Sequence, residues 1–524
     1  MPEEKNIFNY GVNRMSAGLA IKIVNGELDG IINSQAAGQI EKSRKAVENI
    51  VSNEKVVYGI NTGFGSLCTT KISPEDTKKL QYNILRSHSA GVGEKIKREI
   101  SKLMLILKVH ALSFGYSGIR RETLDRIIWH INNDVIPVVP NQGSVGASGD
   151  LVPLSHLFLP LIGLGEVFYG EKIVETETMF KKEGLKPLEL GPKEGLALIN
   201  GTQFIVANAI YGIDRFYNCL DNADIIGSMT LEALFGSVKP FVPELHELRP
   251  YTGTSYVAHR LINLLFDSEM VKSHARCGRV QDPYSLRCMP QVHGASRNAW
   301  YHLKEIMEIE INSVTDNPII LDEDNSVSGG NFHGQPIALP LDYATFAASE
   351  LGNISDRRTY LLLEGKTELP TLLMKDTGVN SGFMIPQYTS AALVSENKTL
   401  CFPASADSIP TSLGQEDHVS MGSISARKLN RVLDNLENIL AVELVCAAQA
   451  FDFRRPLKSS RIIEACHNHI RENIDHACED RIFSNDIAVA RDIIESKKLV
   501  EISEKEAKKE KRDLTGEYKK LSEY

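Results

Sequence analysis

Serine, aspartate and glycine crowd into one stretch of the chain, Asn141 to Gly165, NQGSVGASGDLVPLSHLFLPLIGLG. Gly143, Ser144, Gly146, Ala147, Ser148 and Gly149 give its first half little bulk, and Asp150 then opens an apolar run from Leu151 to Leu164. Small residues let a backbone turn sharply and be approached closely. Asp150 suits an N-cap and Pro153 a first helical turn. The spacing therefore predicts a tight loop delivered onto the positive end of a short buried helix, which Pro160 ends or kinks. A serine in such a turn could be a nucleophile, but the elbow G-x-S-x-G requires glycine two residues to either side. Ser148 has Gly146 before it and Asp150 after it, so a serine hydrolase is not expected. A plain glycine-rich turn is the alternative.

Two other groupings carry less. Gly63 and Gly65 form a G-x-G, but no βαβ unit with a following acidic residue surrounds them, so a dinucleotide site is not expected. Cys466, His467, His469, His476 and Cys478 are zinc-competent types. However, Pro456 to Ser484 reads as a helix. On a helix, adjacent residues point about 100° apart, and Cys466 and Cys478 would sit about three turns from each other. No metal site is expected there.

The run from Gly143 to Leu154 resembles the signature of the histidine and phenylalanine ammonia-lyase family. In that family the central Ala-Ser-Gly cyclises on itself to a methylidene-imidazolone, an electrophile made from the chain. The resemblance implies that Ala147, Ser148 and Gly149 form this group, with no external cofactor and no metal. It extends through separated motifs in the family's order. Tyr58 in YGINTGFG matches the catalytic tyrosine, and Asn200 in EGLALINGTQ the asparagine beside the prosthetic group. Gln281, Tyr284 and Arg287 in VQDPYSLRCMPQ match residues lining the active site, the arginine holding the substrate carboxylate. Phe332 in SGGNFHG matches the aromatic near the methylidene. Taken singly, Tyr58 reads as a strand tyrosine, Arg287 as an ion-pair arginine, Asn200 as a helix cap and Phe332 as core. Their joint occurrence carries the resemblance.

The chemistry explains the set. Losing ammonia from an α-amino acid needs an activated leaving group and removal of a weakly acidic β-proton. Tyr58, as the implied base, starts from a pKa near about 10 and must be tuned by its surroundings. Arg287 offers a planar fork for a bidentate grip on a carboxylate. Asn200 and the helix end after Asp150 would stabilise negative charge on the imidazolone oxygen.

Substrate choice rests on fewer residues. Ser87-His88 falls where members acting on phenylalanine carry apolar or bulkier pairs, although some tyrosine-specific members share the histidine. Gln415 to Met421, QEDHVSM, resembles the histidine-specific form. A carboxylate at Glu416 can accept an imidazole N–H and would sit badly against a bare phenyl ring; alone, it reads as an acidic first-turn residue. Leu413-Gly414 precedes this motif where histidine-specific members carry Ala-Asn. The resemblance thus implies elimination of ammonia from L-histidine to give trans-urocanate. The alternatives are a tyrosine or phenylalanine ammonia-lyase, an aminomutase of the same family, or an inactive scaffold.

Behind these residues stands a chain of 524 residues, 42% apolar, with 58 basic against 67 acidic side chains and a formal charge of −9. That balance, with no basic cluster among aromatics, disfavours nucleic acid as a partner. A polar, acidic start and the lack of any long apolar run exclude a signal peptide and a membrane span. Eight cysteines without a C-x-x-C pair fit reduced thiols. Together these point to a soluble, cytoplasmic protein.

Apolar periodicity predicts helices over 32–51, 74–85, 96–113 and 121–131, a β-branched run breaking into a loop at 56–65, and a hairpin around 167–174. From 197 to 234 one helix, apolar on most faces, is predicted, with others over 300–314, 337–363 and 426–450. The last keeps a one-sided stripe, Leu429 to Leu440, then turns apolar all round from Ala441 to Ala448, as a helix entering a deep core or subunit interface would. The Lys/Glu-rich tail, 495–524, reads as a solvated helix or frayed end. The expected fold is mainly α: a smaller mixed N-terminal domain, 1–225, bearing the Ala-Ser-Gly loop, and a long-helix bundle, 226–524. The family resemblance adds a homotetramer whose active sites are shared between subunits, acting on a small amino acid.

Overall fold

The computed structural model describes residues 7–53, 57, 59, 62, 72–275, 278–322 and 325–523. The fold is mainly α, as the periodicity predicts. Helices Ser34–Ser52, Pro74–His88, Arg98–Ser113 and Arg121–Asn132 fall within a few residues of their expected spans, and the hairpin pairs Glu166–Tyr169 with Lys172–Glu175. The expected run at 56–65, including Tyr58, lies outside the described residues apart from isolated positions.

Contacts divide the chain into two units built from interleaved stretches. The first comprises Met1–Tyr211, Lys304–Asp342 and Pro403–Arg427; the second, Gly212–Leu303, Tyr343–Phe402 and Lys428–Tyr524. Every strand among the described residues belongs to the first unit. There Ile7–Asn9 runs parallel to Asp29–Ile31, Val92–Lys95 antiparallel to Pro140–Gln142, and Ile136–Pro137 beside the hairpin. The Arg98–Ser113 helix is the core of this unit, with every residue from Leu103 to Ser113 buried.

Two buried histidines of that unit are expected to make its stability sensitive to acid. His110 Nδ1 accepts the Gly11 amide at 3.1 Å, and its other nitrogen lies 3.2 Å from Asn312 Oδ1. His130 Nδ1 lies 2.8 Å from the Val135 carbonyl oxygen. Burial pulls both imidazoles down to about 4, from an ordinary value of about 6.5. As pH falls from 6.5 toward 4, the unfolded chain takes up protons that the folded chain refuses, so stability is lost. At pH 5 the loss is about 2 kcal/mol per histidine. The apparent melting temperature is expected to fall between pH 7 and pH 5, and to fall less in His130→Gln. Equal drops in calorimetry would show that His130 does not carry the effect.

In the second unit, the Leu429-to-Leu440 stripe and the residues from Ala441 to Ala448 are all buried. Glu443, an acid inside that apolar stretch, meets Arg358 at 2.6 and 2.8 Å and accepts from Ser355 and Thr230 hydroxyls at 2.6 and 2.8 Å. A buried carboxylate is tolerated only with this degree of pairing.

Several local expectations need correction. The predicted helix over 197–234 breaks: Glu194–Ile199 ends at Asn200, whose ψ of 143° is extended, and Gln203–Ala233 starts afresh. The break spends Asn200's amide on Asn317 O, 2.6 Å away, and Asp316, 3.3 Å away. The predicted helix over 300–314 starts earlier, at Met289, and ends at Ile311. The segment 456–484 is not one helix either. Arg461–Asn473 ends well before His476, which reaches Asp452 at 2.7 Å. His467 and Arg471 turn to the same carboxylate. Burial would raise Asp452, but these partners hold it well below the usual range. Among the described residues no group of His, Cys, Asp and Glu is arranged to hold a metal ion.

The tail is not frayed. Lys498–Lys509 buries Leu499, Ser503 and Ala507, one per turn along one face, and Leu514 and Leu521 are buried beyond it. Among the described residues no helix is long and apolar enough to cross a membrane.

Candidate functional site

The small-residue bend is held from several directions within the first unit. Ser148 adopts φ +48° and Gly149 φ +81°, both left-handed. Such a turn is ordinary for glycine and costly for serine, of order 1–3 kcal/mol. The neighbouring chain enforces it: Gly201 N–H donates to Ser148 O at 3.1 Å, and Asp150 N–H donates to Gly201 O at 2.8 Å. A Cβ at Gly149 would come within 2.1 Å of Gly201 O, so only glycine fits. Ser144 Oγ accepts the Gly146 amide at 3.2 Å.

A second clamp comes from far along the chain. Met421 N–H donates to Val145 O at 3.0 Å, Ser423 Oγ to Ser144 O at 2.6 Å, and Arg427 to Asn141 O at 2.7 Å. The segment containing Glu416 therefore runs directly into the clasp around the bend. Glu416 Oε2 accepts from Thr411 Oγ1 at 3.1 Å. His88, at the end of Pro74–His88, lies close enough to feel its charge. Burial lowers the His88 pKa, while the Ile84 carbonyl and Glu416 act to raise it. The loop after His88 is tied in too: Gly91 N–H donates to His156 Nε2 at 3.0 Å, and Val92 pairs with Gln142.

Asp150 behaves differently from the sequence expectation. It occupies the position before Leu151–Phe158, but its side chain makes no cap there. Instead Oδ2 accepts Ile205 N–H at 2.9 Å, capping the next long helix, Gln203–Ala233. Burial pushes its carboxyl up to about 7, against hydrogen bonds from Ile205, Ser144 and Phe204 and the charge of Lys108. Phe332 is half-buried in a loop whose next residue, His333, lies 3.3 Å from His418 O and stacks on the His418 ring at 5.4 Å.

Ala147, Ser148, Gly149, Asn200, His88, Glu416 and Phe332 thus all belong to the first unit. Gln281, Tyr284 and Arg287 belong to the second, where Tyr284 and Arg287 meet and Gln281 is exposed. Arg287 Nε donates to Asp282 O at 2.9 Å, and its guanidinium carbon lies 4.5 Å from the Tyr284 ring centre. Asp282 is fixed by Ser237 N–H at 2.7 Å and Arg279 at 2.8 Å. Tyr58 lies outside the described residues.

One buried group was not singled out from the sequence. Lys108 is 1% exposed, and its ammonium donates to the Asn200 carbonyl oxygen. Nearby, Lys193 meets Asp316 at 2.5 Å. Burial would raise Asp316, but Lys193 and Lys108, with hydrogen bonds from Lys193 and Ser117, hold it down. The available signal was a lone lysine inside the apolar run MLILKVHAL.

Sequence and structure comparisons place the chain as a whole. The family pattern described as aromatic amino acid lyase matches residues 16–472. A histidine ammonia-lyase of Natranaerobius thermophilus is 45% identical over 92% of this chain and 96% of its own. One from Stigmatella aurantiaca is 47% identical over 89% of this chain and 92% of its own. The crystal structure of histidine ammonia-lyase from Trypanosoma cruzi superposes with a TM-score of 0.89 at 38% identity, covering 99% of this chain and 97% of that one. A tyrosine aminomutase structure from Streptomyces globisporus superposes at 0.90 with 32% identity, covering 96% and 99%. With a glycine-only bend clasped by its own distant chain, and a pattern match over most of its length, the chain belongs to the aromatic amino acid lyase family.

Proposed function

We propose that the chain catalyses the reaction of a histidine ammonia-lyase, eliminating ammonia from L-histidine to give trans-urocanate. It is a carbon–nitrogen lyase. The observation that supports the substrate is the place of Glu416, on the segment that runs into the Met421–Arg427 clasp around the bend, with His88 near enough for its charge to act on that imidazole. It is joined by the names of the 45–47% identical relatives.

The bend fits a self-formed methylidene-imidazolone. A serine held left-handed beside a glycine that no Cβ could replace is the strained, crowded turn that ring closure between Ala147 and Gly149 needs. Once formed, the group supplies an electrophilic carbon that makes the substrate amine a leaving group. The chain's own residues do the rest. Arg287 grips the carboxylate with its fork, stacked on Tyr284, and Gln281 lines that side. Glu416 accepts an imidazole N–H and His88 flanks the ring. Phe332 covers the reacting region, Tyr58 takes the β-proton, and Asn200 sets the backbone behind Ser148. The reading includes a cytoplasmic homotetramer sharing its sites between subunits. Its support is membership of the aromatic amino acid lyase family.

The test is a substrate panel. Histidine should give the ultraviolet absorbance of urocanate, while tyrosine and phenylalanine give little coumarate or cinnamate. A higher kcat/KM on either of those, or a β-amino acid on chromatography, would overturn the assignment. Glu416→Gln should lower kcat/KM for histidine about 10- to 100-fold, the worth of a charged hydrogen-bond partner at 1.5–3 kcal/mol. Unchanged histidine kinetics in that variant would remove Glu416 from substrate recognition.

A further inference from the structure

Lys108 sits midway along Arg98–Ser113 with no solvent in reach, and its ammonium is aimed at a peptide bond. It donates to the carbonyl oxygen of Asn200, and Gln203 Oε1 lies 3.4 Å away. The amide on the other side of that same peptide bond, Gly201 N–H, donates to Ser148 O at 3.1 Å. One peptide unit therefore links a buried cation to the carbonyl oxygen of the central residue of the bend. Hydrogen bonds in such a chain polarise one another: a cation on the peptide oxygen makes its N–H a stronger donor. In a cyclised Ala-Ser-Gly triplet, the Ser148 carbonyl oxygen is the ring oxygen, conjugated with the exocyclic carbon.

We propose that Lys108 is a positioning residue for the electron sink. Through the Asn200–Gly201 peptide, its charge strengthens the hydrogen bond on the atom toward which the cyclised group draws electrons. This rests on the reading that Ala147, Ser148 and Gly149 cyclise. Packing alone does not account for a lysine here. An unbranched apolar side chain such as methionine would fill the space without the cost of burying an ammonium. Nor is Lys108 needed as the main partner of Asp316, which Lys193 already meets at 2.5 Å. The other ionisable groups acting on Lys108 are Asp316, Lys193 and Asp150, and burial among them brings it down to about 7. Its charge is thus easily lost, and a neutral replacement is a fair mimic of the discharged form.

The experiment compares the full-length parent with Lys108→Met and Lys108→Arg. Intact mass reports cyclisation as the loss of two waters. Covalent trapping by β-mercaptoethanol, followed by mass at one fixed pH, reports the electrophile independently of turnover. Lys108→Met should cyclise, melt no lower than the parent, and trap at least about tenfold more slowly. Its kcat should fall similarly, with KM within about threefold of the parent's. Lys108→Arg, which keeps the charge, should recover most of the trapping rate. A cyclised Lys108→Met that traps at the parental rate overturns the proposal, as does an arginine variant as slow as the methionine one. Should Lys108→Met fail to cyclise, the arginine variant decides: cyclisation and fast trapping support the role of charge, and failure there too refutes it. A parent of unmodified mass would refute cyclisation itself, an outcome distinct from slow trapping in a cyclised variant.

Discussion

Replacing Ser148 with alanine is expected to leave a folded chain whose mass equals its encoded composition and whose turnover of histidine falls by at least about three orders of magnitude. The fold should survive because the bend is pinned through main-chain atoms. Gly201 N–H to Ser148 O and Asp150 N–H to Gly201 O do not involve the serine hydroxyl. Alanine at φ +48° carries much the same backbone strain as serine, so the melting temperature should shift little. What disappears is the hydroxyl that must leave as water for the exocyclic double bond to form. Intact mass and a steady-state urocanate assay, run side by side, check both halves. A variant that keeps the parental rate would end the self-processing account.

The second large effect is expected at Arg287. Its Nε is spent on Asp282 O, and Asp282 is itself locked by Ser237 and Arg279, so the guanidinium is presented in a fixed plane against Tyr284. In our reading, the Nη edge then receives the substrate carboxylate as a pair of parallel charged hydrogen bonds. Arg287→Met should lower kcat/KM for histidine about 10²- to 10³-fold, or roughly 3–4 kcal/mol, mainly through KM. Lysine should rescue it poorly, since a point charge on a flexible stem cannot offer the fork. Histidinamide, which has no carboxylate, separates grip from collapse. The parent should handle it badly, and Arg287→Met should lose little further against it. An unchanged KM for histidine in Arg287→Met would remove the arginine from substrate binding.

Much of the helical framework was legible because a helix announces itself locally. Leu429, Val432, Leu433, Leu436, Ile439 and Leu440 repeat at helical spacing, and every one of them is buried. What the sequence hid were the choices made by distant partners. Ile199 and Phe204 look continuous in pattern, yet the chain breaks between them because Asn317 O and Asp316 offer Asn200 hydrogen bonds from over a hundred residues away. Asp150 precedes one helix and caps another, a preference that local spacing cannot express. The tail's high charge concealed Leu499, Ser503 and Ala507, whose single narrow stripe is enough to dock it. The bend and Glu416 could be recognised from motifs, and their proximity to His88 emerges only in the fold. Lys108 escapes a reading of the sequence because its partner is a backbone carbonyl, which no side-chain pattern reports.

The clasp around the bend has a temporal consequence. Ser423 holds the Ser144 carbonyl across 279 residues of sequence. At a synthesis speed of 5–20 residues per second, that separation takes about 15–55 s to translate. Throughout that interval the nascent bend lacks the grip of Met421, Ser423 and Arg427. The clasp closes only after residue 427 has been added, about four-fifths of the way along the 524 residues. The order of synthesis thus leaves the bend half-held until a distant stretch of its own polypeptide arrives.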